Sequence, residues 1–441
     1  MKEKLIGIAK EIKRLTKKAF FILRTQGLRA LMTRIKNEID ACRSRKEQEE
    51  APVSVKELLY NHFPNLQPIR YLKVERENLR LNIITDSLNK DSLFGGVATS
   101  LVLATLFSNK YKIPLRIITR TAKSNPTSYN EFLKLFKLEK PQEVEFFSDF
   151  DRNNNNNHYN LEISDKDIFL ATSWWTSAVV KRLNLRKKFF YLLQEVEEFF
   201  YPNSDEQFLC RNILNDKNIN FIVNSRLLFD YYGIMGYGNI LRQGKFFEPA
   251  FPEYIYSDAE KSFKNKSEHK LFFYSRPNNP RNLFYSGLKI LDEALLRNII
   301  DTKDWKIYFA GSDIPLIKFT NGVKPVVLGH MDWSAYSEFI KNIDLGFCLM
   351  YTPHPSYPPL DIASSGGVVL TNKYANKVHL DYSENIICED LDMESMMRGF
   401  AKVVELAKNG EKRRENYLKN KIERSWEKSF QEILSYMKDN V

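Results

Sequence analysis

The chain has 441 residues, 27% charged, 43% hydrophobic and 13% aromatic, a balance that excludes a disordered, collagen-like or disulfide-scaffold protein. That length predicts two or three domains, each burying its own core. The formal charge of +11 is concentrated: residues 1–46 carry 14 Lys/Arg against 4 Asp/Glu, and the rest carry 52 against 51. A duplex-binding enzyme would instead spread a basic stripe over its folded face, so nucleic acid is set aside as a partner.

No apolar run reaches the ~18 to 20 residues that span a bilayer, and no secretory leader opens the sequence. Cys42, Cys210, Cys348 and Cys388 have neither CxxC nor Cys/His ligand spacing, which predicts reduced thiols in a cytoplasmic protein. Within the first 25 residues, Leu5, Ile8, Ile12, Leu15, Ala19 and Ile22 recur in steps of three and four, with lysines and arginines filling the other face. After Gly27 the period resumes at Leu28, Leu31, Met32, Ile35 and Ile39. A basic amphipathic arm of this kind predicts attachment to an anionic membrane surface, or docking on the body or on a second copy. EEAPVSVKE at 49–57 marks the boundary into the body.

The body opens with a strand at 81–87 (LNIITDS), a loop holding Gly95 and Gly96, and a helix from VATSLVLATLFSNK. Strands follow at 114–120, 167–173 and 221–227, the last two leading into the helices WWTSAVVKRL and LFDYYGI. KKFFYLLQEVEEFFY (187–201) predicts a strand ending in an acidic, aromatic loop, and Asn153–Asn157 a surface loop. Strand, loop and helix in alternation predict a doubly wound parallel α/β sheet, whose ligands bind beyond the carboxyl ends of its strands. Gly95 and Gly96, Trp174 and Trp175, and Glu195, Glu197 and Glu198 fall at such ends. The fingerprint GxGxxG is absent, which argues against a nicotinamide enzyme.

After the proline-containing crossing EPAFPEYIY (248–256), the pattern restarts with the strand LFFYS (271–275) and the helix LFYSGLKILDEALL. Arg276 and Arg281 lie between them, and a rigid guanidinium at a helix start suits phosphate oxygens. Further strands are predicted at 305–312, 324–330, 344–351 and 367–372, with a helix at SAYSEFIKN. In TPHPSYPPLDIASSGGVVLTN the prolines should delay a helix until about Pro359, placing Asp361 in its first turn; Ser364 to Gly367 close it. His354 stands in the loop before it, and GHMDWS (329–334) forms another strand-end loop.

The strand, PxL-acid helix and glycine-strand block resembles the donor-site signature of the GT-B glycosyltransferases, especially the retaining family 4 group. Its E-x7-E form is incomplete here: Asp361 matches the second acid, but Pro353 stands where the first would be. A narrower resemblance is to WsaF-type rhamnosyltransferases. It rests on FGG (94–96), ATSWWTSA (171–178), YLLQEVEEFFYP (191–202), SRPNNPRNLF (275–284) and PHPSYPPLDIASSGGVVLTN (353–372), and extends over about residues 80–430.

That resemblance implies GT-B architecture, two Rossmann-like domains across a cleft behind a basic arm: arm 1–50, acceptor domain 51–257, nucleotide-sugar domain 258–415, and a C-terminal helix 416–441 returning to the first domain. It implies a dTDP-sugar donor, an L-rhamnosyl group and a growing bacterial surface glycan, lipid-linked or free, as acceptor. The reaction would be retaining and need no metal, with the enzyme peripheral on the inner face of the membrane. Arg276, Arg281 and His354 are assigned to catalysis. Asp361, Tyr357, Ser356, Pro358, Met331, Gly95 and Gly96 are assigned to the donor. Trp174, Trp175, Glu195 and Glu197 are assigned to the acceptor. A non-catalytic glycan-binding or assembly scaffold and a GT-B nucleotide-sugar epimerase or phosphorylase remain alternatives.

Overall fold

The computed structural model describes residues 28, 31–33, 35–37, 52–89, 95–149, 160–257, 263, 266–329 and 331–441. It comprises two units, Met1–Pro64 and Asn65–Val441. In the first, the described residues between 28 and 37 are helical. The helix Val55–His62 starts at Ser54, whose Oγ accepts the Glu57 N–H at 3.2 Å. Most of the basic arm lies outside the described residues, as do the asparagine run at 153–157 and Phe94.

The second unit is built on two parallel sheets. A short ribbon, β1 (Tyr71–Lys73) beside β5 (Leu161–Ile163), flanks the first sheet. That sheet contains β2 (Arg80–Thr85), β3 (Leu115–Thr119), β4 (Val144–Ser148), β6 (Asp167–Ala171), β7 (Phe189–Leu193), β8 (Ile219–Asn224) and β9 (Gly244–Phe247). Its spatial order is β4-β3-β2-β6-β7-β8-β9. The second sheet contains β10 (His269–Tyr274), β11 (Trp305–Ala310), β12 (Val326–Val327), β13 (Leu345–Phe347), β14 (Val368–Asn372) and β15 (Ile386–Glu389), in the order β12-β11-β10-β13-β14-β15.

Each lobe thus begins at a central strand, builds outward to one side, then returns and builds to the other. This is the Rossmann order, and its reversal opens a crevice at the carboxyl ends of β2 and β6 and again at those of β10 and β13. The central strands β2, β3, β6, β7 and β8 are buried along their whole length. Their Leu, Ile, Val and Phe side chains suit a sheet covered on both faces, and the polar residues among them are paired: Arg80 and Asn82 with Asp167 at 2.8 Å each, and Arg116 with Asn82 at 2.7 Å.

Several elements differ from expectation. β12 and β13 shrink to two and three residues. Pro325 has no N–H for the ladder beyond β12, and the Met350 N–H after β13 goes to the Asn372 side chain at 2.7 Å. The C-terminal region is several helices: Gly410–Leu418, Trp426–Ser429 and Gln431–Asp439. Its last part lies on the first lobe. Phe251 N–H donates to Glu423 O at 2.7 Å, and Phe430 and Tyr436 meet Phe247 and Phe190 at 4.7 and 5.9 Å between ring centres.

An ion cluster ties this return to the second lobe. Buried Asp344 accepts from Arg413 (2.9 Å), Lys266 (2.8 Å) and the Lys270 N–H (3.0 Å). Arg413 is itself buried, so its removal withdraws one of two cations from a carboxylate with no access to water. Arg413→Met is expected to lower stability by about 3 kcal/mol, read from urea midpoints. An unchanged midpoint would mean that Lys266 alone neutralises Asp344.

Candidate active site

The carboxyl ends of both sheets border one cavity of about 1000 Å³. Arg276 leaves the end of β10 and is exposed, with Nη1 3.4 Å from the Tyr274 hydroxyl. Arg281 sits in a single 3-10 turn, Pro280–Asn282, just before the helix Phe284–Leu296. Its guanidinium stacks 4.2 Å from the centre of the Phe200 ring and pairs with Glu195 at 2.9 Å. Glu195 belongs to the first lobe, so this ion pair crosses the junction. Burial pulls both partners toward neutrality, raising the Glu195 pKa and lowering that of Arg281; each is opposed by the other's charge. The acidic loop is buried: Glu195 is 8% exposed, and Glu197 and Glu198 less.

The proline-rich block folds differently from its sequence reading. The helix runs Tyr357–Ser364, starting two residues earlier than expected, and Asp361 lies beyond its first turn. Prolines are tolerated where helical N–H groups have no partner anyway. The same prolines leave Pro358 and Pro359 without amides for a ligand, so the helix start is a poorer anion site than its position suggests. Ser356 precedes it at φ 68, ψ 151, a region that favours glycine. This strained backbone sends the Ser356 N–H to His354 Nδ1 at 3.0 Å. At the other end Gly366 adopts φ 80, and the N–H groups of Gly366 and Gly367 close back on Ala363 and Ile362 in a Schellman cap.

His354 is buried, and burial first, then Lys377 and Arg281, holds its pKa down to about 3. It stays a neutral imidazole. With Nδ1 accepting, the proton resides on Nε2, which is buried without a partner. His354 is therefore placed as a neutral hydrogen-bond donor. Asp361 is 3% exposed and takes the Tyr336 hydroxyl on Oδ2 at 2.9 Å, with Tyr256 donating to the same carboxylate. Its Oδ1 is buried and unsatisfied. Burial raises its pKa to about 7 against the pull of both tyrosines.

Arg276, Arg281, His354, Asp361, Tyr357, Ser356, Pro358, Met331, Gly95, Gly96 and Glu195 all line the cavity. Tyr357 does so with its hydroxyl already engaged, by Thr99 Oγ1 at 2.7 Å and by Asn224 Nδ2 at 2.8 Å, which fastens the second lobe to the first. Gly95 caps the helix Gly96–Tyr111 at φ 52, where a side chain would be strained. In GHMDWS, Asp332 caps the helix Trp333–Lys341 through the Ala335 N–H at 2.8 Å, while Gly329, Met331 and Trp333 face the cavity.

Trp174, Trp175 and Glu197 are not brought to this wall. Ser173 and Thr176 form a capping box at the start of the helix Trp174–Lys181, and Glu197 accepts the Trp174 N–H at 2.8 Å. Trp174 is buried with its indole N–H on the Tyr201 hydroxyl, and Trp175 donates to both oxygens of Asp86. Trp174 and Glu197 belong to the lobe's interior, and Trp175 is half-buried. Lys377, fully buried with Nζ on Met350 O at 2.8 Å, had no signal in the sequence. Its pKa falls to about 8 through burial.

Residues 80–226 match the family described as WsaF, N-terminal domain, and residues 269–401 that described as WsaF, C-terminal domain. This chain carries both WsaF domains. A curated relative, the O-antigen biosynthesis protein RfbC of Myxococcus xanthus, is 28% identical over 230 residues, which are half of this chain but 17% of that protein. Among solved structures, Anabaena HepE in complex with UDP and glucose is similar at TM-score 0.58 and 10% identity, over 82% of this chain and 100% of that one. S. aureus TarM in complex with fondaparinux, α-GlcNAc-glycerol and UDP matches at TM-score 0.57 and 11% identity, over 81% and 99%. At these identities the likeness establishes the GT-B fold, with the WsaF N- and C-terminal domains as its two lobes.

Asp361 makes stability depend on pH. Its folded pKa, about 7, lies above the ordinary value near 3.8, so between these pH values the folded protein holds a proton that the unfolded chain has lost. The group therefore subtracts stability as pH rises through that window, and the loss is complete above 7. Asp361→Asn should melt higher than the parent at pH 8, with the gap closing toward pH 5. A gap independent of pH would contradict the assignment.

Proposed function

We propose that this protein is a glycosyltransferase that moves a sugar from a nucleoside-diphosphate donor to a surface glycan. The observation that carries the reading is the convergence, on one interlobe wall, of two guanidinium groups with an unsatisfied carboxylate oxygen and an unsatisfied imidazole N–H. A sugar nucleotide has matching groups: a diphosphate for the arginines, ribose hydroxyls for Asp361 Oδ1, and an oxygen for His354 Nε2. The WsaF domains, the RfbC relative and the GT-B fold support the class.

In the transfer, the bond from the anomeric carbon to the β-phosphate oxygen breaks and its electron pair stays with the diphosphate. Arg276 and Arg281 stabilise the charge that grows there, so this proposal needs no metal ion. The acceptor oxygen bonds the anomeric carbon from the face the diphosphate leaves, and its proton passes to the departing phosphate. Configuration is thus retained without a dedicated side-chain base. The family resemblance extends the proposal to an L-rhamnosyl group carried on deoxythymidine diphosphate, and the basic amphipathic arm extends it to a peripheral position on the inner membrane face. For the acceptor we propose the aromatic rim at Phe200, Tyr351 and Tyr374; Phe200 lines the cavity, and Tyr351 is 50% exposed and packs edge-on against Tyr374 at 4.8 Å.

Arg276 is the cleaner residue to remove, because it is exposed and its partner, the Tyr274 hydroxyl, is uncharged. Arg276→Ala is expected to weaken UDP or dTDP binding by about tenfold or more in calorimetry, with melting unchanged. Removing Arg281 as well should abolish transfer, and a chelator should leave parental transfer intact. Full affinity in the double variant would dismiss the phosphate assignment. Tight nucleotide binding with no transfer to any glycan would favour the scaffold reading.

A further inference from the structure

The cavity wall has an order. Asp361 marks one end, within electrostatic reach of Tyr274, whose hydroxyl meets Arg276 at 3.4 Å. Arg281 lies within electrostatic reach of both Arg276 and Tyr274, and pairs with Glu195 at 2.9 Å. Among the described residues, Asp361 and Glu195 are the carboxylates that reach the wall, and of the two Glu195 is the one that pairs with an arginine. A nucleotide sugar has the same linear order of ribose, diphosphate and transferred sugar. With the ribose at Asp361, the sugar falls at Glu195.

We propose that Glu195 accepts hydrogen bonds from hydroxyls of the transferred sugar, so that the N-terminal lobe, not only the lobe that holds the diphosphate, selects the donor. This rests on the sugar-nucleotide reading above. Glu195 Oε1 accepts the Val196 N–H at 3.0 Å, while Oε2 takes Arg281 and, at 3.3 Å, the Thr352 hydroxyl. A carboxylate oxygen has two lone-pair sites, so Oε1 keeps one free. When phosphate oxygens draw the Arg281 guanidinium, Oε2 gains capacity as well. His354 Nε2–H lies within the field of the same arginine and supplies a donor. An acceptor and a donor together satisfy a hydroxyl, which is both. Lys377 places a buried cation near the carboxylate and favours its ionised, accepting form.

A purely structural Glu195–Arg281 pair gives a different result from a sugar-reading Glu195, and near-isosteric Glu195→Gln separates them. The probes are UDP against UDP-glucose and dTDP against dTDP-rhamnose, measured by calorimetry on the full chain. The parent should bind at least one nucleotide sugar more tightly than its diphosphate. Glu195→Gln should cut that preference about tenfold while diphosphate affinity holds or rises, because a competitor for Arg281 has weakened. Equal losses for diphosphate and nucleotide sugar, or an unchanged preference, would overturn the proposal and leave Glu195 a support for Arg281. Failure of the parent to bind any of the four probes would overturn the sugar-nucleotide reading itself, and this proposal with it. Melting temperatures of the variant confirm that the comparison concerns folded protein.

Discussion

An ion pair that crosses from one lobe to the other, Glu195 to Arg281, is the constraint around which the cavity is organised. A carboxylate this deeply buried would cost several kcal/mol if left alone. It is tolerated because Arg281, Thr352 and the Val196 N–H converge on it from two lobes and three segments of chain. The lobes are consequently held with their sheets end to end. Tyr357, bonded to Thr99 and Asn224, reinforces the same junction a short distance away.

The fold serves that junction. Two sheets of Rossmann order each open a crevice where strand order reverses, and the C-terminal helices return to the first lobe through Phe430 and Tyr436. Side chains at the ends of β7, β10 and β13 therefore meet in one space. The motifs ATSWWTSA and YLLQEVEEFFYP act largely on each other: Glu197 holds the Trp174 N–H, and Tyr201 holds its indole. Their work is to brace the segment that delivers Glu195.

The central strands were legible because burial on both faces enriches them in β-branched, aliphatic and aromatic residues between loop signals. The strands that escaped notice, β1, β4, β5, β9 and β15, are edges of their sheets, where one side lacks a neighbour and composition is mixed. The arginines and Asp361 were legible because a strand end or a proline-led helix start constrains where their Cα atoms lie. Lys377 and the tyrosines around Asp361 were not, since only tertiary packing brings Tyr256 and Tyr336 to Asp361 and Lys377 to Met350 O. The burial of the acidic loop was not legible, because the groups that draw its three glutamates inside, Arg281, Arg211 and the Trp174 N–H, come from other segments of the chain. His354 was visible as a residue and not as a chemical state, because its neutrality depends on neighbours distant in sequence.

The account stands most directly on where a nucleoside diphosphate binds. A crystal structure of the full chain soaked with UDP or dTDP should show diphosphate oxygens within hydrogen-bond distance of Arg276 and Arg281 and a ribose hydroxyl on Asp361 Oδ1. A nucleotide seated outside the interlobe cavity, or inside it with both arginines turned away, would contradict the account.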